Sequence, residues 1–286
     1  MNSILIAESG ASKTAWRWCL DGQLLRAWEG PGLNPNTLSE AELAARIRVA
    51  LAPGGFAPPL EALYFYGAGL RQLAPRDLLT RLLRQAVGTQ VQLEVQDDLV
   101  AAVRSTGWSQ GMVAILGTGS NACRFAEDKV LERRGGLGYL LGDEGSATDL
   151  GRCWLRALIQ ETLPPQVVAR SLEQLGRPVS VLLREVYQAE RPAAFLAGLI
   201  PSLAALMEEP TLRTLVRHRF TRFLDDTICQ FDQYQTLPMA VVGSVGYHLQ
   251  TVLLEASQAR QVEVPLILAA PIDGLMRHHA LPAEVD

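Results

Sequence analysis

The sequence predicts an α/β protein of two related halves with a cleft between them, the second half enlarged by helices. Three observations carry this prediction. The first hundred residues read in the order βββαβαβα. Near residue 112 the order restarts with another apolar strand and small polar turn. Two late segments, "MAVVGSVGYHLQTVLLEAS" and "VPLILAAPIDGLMRHH", each read as strand, turn and helix. The halves are expected at 1–111 and 112–286, with the final helix a candidate to pack back on the first half.

Ile4 to Ala7 is an apolar run that reads as a buried strand. Trp16, Trp18 and Leu20 then alternate with Ala15, Arg17 and Cys19, the period of a strand. Asp21-Gly22 is a hairpin signal, and Leu24 to Trp28 is the third strand. "SEAELAARIRVALA" is a helix: Ser39 caps it, Glu42 stands three residues on, and Leu43, Ile47 and Leu51 share a face. "LEALYFYGAG" is a strand ending in a glycine turn, "PRDLLTRLLRQAV" a helix, "VQLEVQ" a strand, and "DDLVAAVRS" opens another helix. In the second half "MVAIL", "ACRFA" and "KVLERR" are strands, with "GTGSN" and Glu127-Asp128 as turns. Helices are expected over Ala147 to Leu163 and around 171–188, 193–207 and 211–234.

The 286 residues are 48% hydrophobic, enough for a substantial core and too apolar for a disordered chain. With 26 Lys and Arg against 30 Asp and Glu, the net charge of −4 argues against a general nucleic-acid binder. Lys13 and Lys129 are the only lysines, a bias that reads as genomic composition but draws attention to Lys13. No apolar run is long enough for a membrane span, and Met1-Asn2-Ser3 lacks the flank of a secretory signal. Cys19, Cys123, Cys153 and Cys229 are scattered with no CxxC pair, which speaks against zinc and a disulfide framework. A cytoplasmic location is expected, and a homodimer is left open.

"ILIAESGASKT" ends almost as a phosphate loop does, but it has only Gly10 and leads into a strand, so the GxxxxGK[ST] arrangement is absent. A hairpin remains. Gly10 and Ala11 clear space, Ser12 and Lys13 offer donors to phosphate, and Glu8 can hold magnesium through water. The bland reading is a hairpin between core strands. Gly117-Thr118-Gly119-Ser120-Asn121 packs two glycines and two hydroxyls behind an apolar strand. Backbone N–H groups at such a turn form an anion-binding concavity. Thr118 can donate to phosphate, while Ser120 and Asn121 can face a polar substrate.

In "GGLGYLLGDEGSA" five glycines, Gly135, Gly136, Gly138, Gly142 and Gly145, surround Asp143-Glu144. Any of Asp143, Glu144 or Ser146 would cap the following helix, and a carboxylate among glycines can also take hydrogen bonds from sugar hydroxyls. Asp97 and Asp98 fall where a strand ends and a helix begins. One suits a general base for phosphoryl transfer, and either suits a cap. Gly243 and Ser244 open the helix after "MAVV", a place that fits a nucleotide or a plain tight turn.

In this order, "AESGASKT", "GTGSN", "GDEGSA" and "VVGSV" resemble the BadF-type branch of the sugar-kinase, heat-shock ATPase and actin superfamily, and within it the N-acetylglucosamine kinases. The resemblance covers essentially the whole chain. It implies two ribonuclease H-like (actin-like ATPase) halves, with ATP and Mg²⁺ as cofactors and a small-molecule sugar as substrate. It implies no nucleic acid and no membrane. By the same resemblance Gly10, Ser12, Lys13, Gly117, Thr118 and Gly119 grip ATP phosphates, Gly243 and Ser244 approach the nucleotide, and Glu8 serves the metal. Asp98 is implied as catalytic base. Ser120, Asn121, Gly136, Leu137 and Asp143 are implied at the sugar, with Asn34 and Asn36 competing for one further contact. Glu8 departs from the commoner Asp, Ser12 from Thr, and Leu137 from the Trp of animal relatives, which removes an aromatic wall near the sugar. The implied reaction is phosphorylation of a primary hydroxyl, O6 of an amino sugar. The alternatives are a non-catalytic sugar sensor and an ATPase activator of an acyl-CoA reductase or dehydratase.

Overall fold

The computed structural model describes residues 2–10, 13–56 and 59–280. The chain divides into two compact units, Met1–Trp108 with Pro271–Asp286, and Ser109–Ala270.

The first unit holds β1 (Ser3–Ser9), β2 (Lys13–Leu20), β3 (Gln23–Pro31), α1 (Glu40–Leu51), β4 (Ala62–Gly67), α2 (Leu73–Val87), β5 (Gln92–Asp97) and α3 (Asp98–Thr106). Its sheet order is β3-β2-β1-β4-β5, antiparallel through the hairpins and parallel from β1 to β5. The apolar run of β1 is explained by its two buried faces. Leu5 and Ala7 join Trp16, Phe65, Leu43 and Leu83 beneath α1 and α2. Ile4 and Ile6 join Tyr66, Ala101, Ile272 and Leu275 on the other side. Trp16 and Trp28 stack at 6.0 Å on one face of the hairpin. Ser39 and Glu42 form the capping box expected for α1.

The second unit repeats the plan. It holds β6 (Gln110–Leu116), β7 (Ser120–Ala126), β8 (Lys129–Gly135), α4 (Ala147–Ile159), α5 (Pro165–Leu175), α6 (Val179–Gln188), α7 (Pro192–Ala197), α8 (Ile200–Ala204), α9 (Pro210–Asp226), β9 (Met239–Val242), α10 (Ser244–His248), α11 (Gln250–Gln258) and β10 (Leu266–Leu268). The sheet order β10-β9-β6-β7-β8 is the first unit's order rebuilt, with β6 in the place of β1. The last helix, α12 (Ile272–Ala280), belongs to the first unit, where it packs on α3, β1 and β2.

Helix lengths in the second half differ from the sequence reading. The expected helix over 171–188 is two, α5 and α6, because Gly176 closes the first in a left-handed cap and Pro178 precedes the second. The expected 193–207 helix breaks at Gly198, and 211–234 stops at Thr227, whose hydroxyl bonds Phe223 O. Helix α4 ends at Ile159, before Pro164-Pro165, and not at Leu163. Among the described residues no helix is long and apolar enough to cross a membrane.

Candidate active site

In the first unit the parallel strands β1, β4 and β5 end level. Ser9 pairs with Gly67, and Gly67 with Asp97. The adjacent aspartates are separated by role at this edge. Asp97, 2% exposed, caps α3 by accepting Val100 N at 3.0 Å. Asp98, half-buried, starts the helix, and its charge is felt by Glu8. Burial away from water, first, and the charge of Asp98, second, push the Glu8 carboxyl up to about 7, with Lys13 opposing. Two acids brought together at a strand end suit a hard cation, and magnesium asks for only one or two carboxylates beside substrate oxygens. Among the described residues no cluster of three or more His, Cys, Asp or Glu offers a fuller metal cage.

The hairpin after Glu8 closes through Gly10 N on Lys13 O at 2.9 Å. Ser12, expected at the phosphate, lies outside the described residues, as does Ala11. Lys13 Nζ rests on Glu29 Oε1 at 2.6 Å, with both side chains more than 60% exposed. Such a surface pair is worth about 1 kcal/mol or less, so an arriving phosphate can displace Glu29.

The two asparagines differ. Asn36 is exposed and spends Nδ2 on Gly69 O at 3.0 Å, while its backbone N–H bonds Asn34 Oδ1 at 2.9 Å. Asn34 is half-buried, and its Nδ2 makes no hydrogen bond among the described residues. Both press on Gly69, where a Cβ would lie 2.4 Å from Asn36 Nδ2 and 2.7 Å from Asn34 Oδ1. Gly69 is therefore part of this loop's construction, a role the sequence reading did not assign.

In the second unit the Gly117–Asn121 turn joins β6 to β7. Gly117 N turns inward to Gly119 O at 3.0 Å, so this amide serves the turn and not an anion. The carbonyls of Gly117 and Thr118 take the first amides of α4, Ala147 N and Thr148 N, while the Thr118 residue is exposed. Ser120 was expected to touch substrate but is only 4% exposed. Its contribution is its backbone: the N–H donates to Asp143 Oδ1 at 3.2 Å and the carbonyl accepts Gly136 N at 3.1 Å. Asn121 Oδ1 bonds Ala122 N, and its amide group packs on Gly136.

Asp143 sits at φ +63° and packs over Gly119. Burial pushes its carboxyl up. The Ser120 amide and Arg152 work against this, while Glu144 and Asp149 add to it. Leu137 projects outward, 64% exposed, with Leu140 and Leu141 beside it in the same loop.

Gly243 has a structural duty. At φ +128° its missing Cβ would sit 2.3 Å from Leu116 O, so only glycine lets this turn close on β6. The helix it opens, α10, has five residues, which weakens the expectation of a helix-dipole site for nucleotide there. Ser244 is exposed at its first position.

Two further residues emerge from the structure. Asp149, 1% exposed, takes Gly145 N at 2.9 Å and is clamped by Arg219 and Arg152. Ser146-x-x-Asp149 was the available signal, since Ser146 Oγ caps Asp149 N. Ser9 links the hairpin to the loop before Asn34 through Leu33 N; a lone serine carries no such signal.

No protein-family model matches the chain. A solved structure from Porphyromonas gingivalis that carries the provisional name N-acetylglucosamine kinase superposes with a TM-score of 0.91 and 32% identity, over 97% of this chain and 98% of that one. A Chromobacterium violaceum structure with the same provisional name is similar in fold, with a TM-score of 0.73 and 20% identity over 97% and 99%. The curated N-acetylmuramic acid/N-acetylglucosamine kinase of Clostridium acetobutylicum is 25% identical over 166 residues, 56% of this chain and 54% of the relative. The chain thus aligns with about half the length of that curated relative. Two units of one strand order, each opening on a strand and a small-residue hairpin, define the sugar-kinase, heat-shock ATPase and actin class. The chain belongs within it to the BadF-type N-acetylglucosamine kinase family, a family of ATP-dependent carbohydrate kinases.

Proposed function

We propose that this chain is an ATP-dependent sugar kinase acting on the primary hydroxyl of an amino sugar, with N-acetylglucosamine and its 6-phosphate as the leading substrate and product. The observation that supports it best is the pairing of Glu8 with Asp98 at the carboxyl end of the parallel strands, beside the hairpin closed by Gly10. Asp98 is the base: it takes the hydroxyl proton as that oxygen bonds to the γ-phosphorus and the bridge to ADP breaks. Asp97 is committed to its cap and holds the first turn of α3 in place. Glu8 would hold Mg²⁺, through water, and the ion would supply charge neutralisation on the phosphates. Asn34 and Asp143 are assigned to sugar hydroxyls, with Asn121 and the Gly136-Leu137 corner beside Asp143. The Gly10–Lys13 hairpin and Thr118 are assigned to phosphate, and Gly243-Ser244 to the nucleotide's other end.

The test is incubation with ATP and a panel of amino sugars and hexoses, followed by product mass and ADP release. The expected result is transfer of one phosphoryl group to N-acetylglucosamine or a near relative; no transfer to any member overturns the reading. A sugar sensor is the second reading, favoured by the setting of Glu8: burial and Asp98 hold its carboxyl up at about 7, which favours the protonated form and weakens its hold on a cation. Sugar bound without ADP release would select it.

A further inference from the structure

Ser9 is 1% exposed and Thr14 is fully buried. Their hydroxyls lie 2.8 Å apart. Ser9 Oγ also accepts Leu33 N at 2.9 Å, and Thr14 Oγ1 reaches Pro31 O at 2.9 Å. Ser9 O takes Ala68 N at 3.0 Å. Three of the residues joined in this way adjoin groups already assigned to the site. Ser9 lies between Glu8 and Gly10, Leu33 precedes Asn34, and Ala68 precedes Gly69, whose carbonyl holds Asn36.

The protons can be counted. The pair has two hydroxyl protons and three places to send them: the partner hydroxyl, Pro31 O, and Gly10 O, which is 3.5 Å from Ser9 Oγ. In one arrangement Thr14 donates to Pro31 and Ser9 donates to Thr14. In the other Thr14 donates to Ser9, and Ser9 is left facing Gly10 O, a weak acceptor at 3.5 Å. Leu33 N can donate to Ser9 Oγ in both. The pair thus ties the hairpin strand to the residue before Asn34 through one short chain of buried hydrogen bonds, and a packed chain of that kind can carry coupling between sites.

We propose that Ser9, with Thr14, is a positioning residue that couples the phosphate hairpin to the sugar-binding loop, so that nucleotide and sugar each tighten the other's binding. The proposal rests on the kinase reading above. Linkage requires the effect to be reciprocal and equal in both directions.

The test is calorimetric titration of the full chain with a non-hydrolysable ATP analogue and with N-acetylglucosamine, each alone and in the presence of the other. Wild type is expected to bind each ligand at least about 5-fold more tightly when the other is saturating. Ser9→Ala is expected to bring that ratio close to 1 while each ligand alone keeps nearly its wild-type affinity. A merely structural role would weaken both binary affinities and leave the ratio intact, which would overturn the proposal, as would a wild type with no coupling. If wild type binds the analogue but not N-acetylglucosamine, the choice of this sugar as substrate falls, an outcome distinct from unchanged coupling. Thr14→Val, which keeps the shape and removes the second hydroxyl, gives the same reading should Ser9→Ala fail to fold.

Discussion

Asp149 is joined to Arg219 by two hydrogen bonds, 2.7 and 3.1 Å, made to its two carboxylate oxygens. One of those oxygens also holds Gly145 N, two residues from Asp143. The pair is largely buried, at 1% and 19% side-chain exposure, so removing one charge strands the other. Asp149→Asn should lower stability by about 3 kcal/mol, read as a lower urea midpoint at unchanged slope. It should also weaken sugar binding more than nucleotide binding, because the turn carrying Asp143 loosens.

Glu8 makes stability fall with rising pH. Its carboxyl is raised from 4.5 to about 7 in the fold, so the unfolded chain releases this proton first. The stabilisation is complete below about pH 4.5 and disappears as pH climbs through about 7. Glu8→Gln should flatten thermal stability across this window. Magnesium with nucleotide should raise the wild-type melting temperature most at the alkaline end, where the carboxylate is ionised. A pH profile identical in wild type and variant would refute the assignment.

His279 acts with the opposite sign. Tyr66 Oη lies 2.6 Å from its Nε2, and Tyr64 stacks on its ring at 3.7 Å. Arg104 donates to the same Tyr66 oxygen, leaving the phenol to donate to a neutral imidazole. Burial, then the charges of His278 and Arg104, lower the imidazole to about 3. This stabilisation is present above about pH 6.5 and is lost as pH falls toward 3. Where the Glu8 and His279 windows overlap, they partly cancel in wild type. His279→Gln should remove the acid-side loss, and calorimetric melting of both single variants should resolve two opposed slopes. Two flat differences would show that neither group titrates as stated.

Asp98→Asn keeps the shape of the strand end and removes the base. Turnover should fall by about 10²–10⁴ with sugar affinity little changed, measured by coupled ADP release and by equilibrium binding. Near-native turnover would move the proton transfer to another group.

Much of the fold was legible because its signals are local. The unbroken run of β1 follows from two buried faces, the Trp16/Trp18 alternation from one side of a hairpin, and the Ser39/Glu42 box from helix-end chemistry. The "DDL" pair was legible as the junction of a strand and a helix, but which carboxylate caps was not, since that depends on the turn from β5 into α3. Helix breaks at Gly176 and Thr227 escaped because an apolar stripe at helical spacing continues across them. Arg219 on Asp149, and His279 on Tyr66, join residues far apart in sequence, and no spacing rule announces such partners. The burial of Ser120 was not legible, because a hydroxyl in a glycine turn looks available until its surroundings are known.

Helix α12 gives the chain an order of manufacture. Residues 109–270 are complete on the ribosome before residues 272–280 exist, yet the first unit needs the latter to cover Ile6, Tyr66 and Ala101. The nascent first unit therefore has one face of its sheet covered by α3 alone while the second is translated. A chaperone that shields apolar surface would find its substrate in that interval.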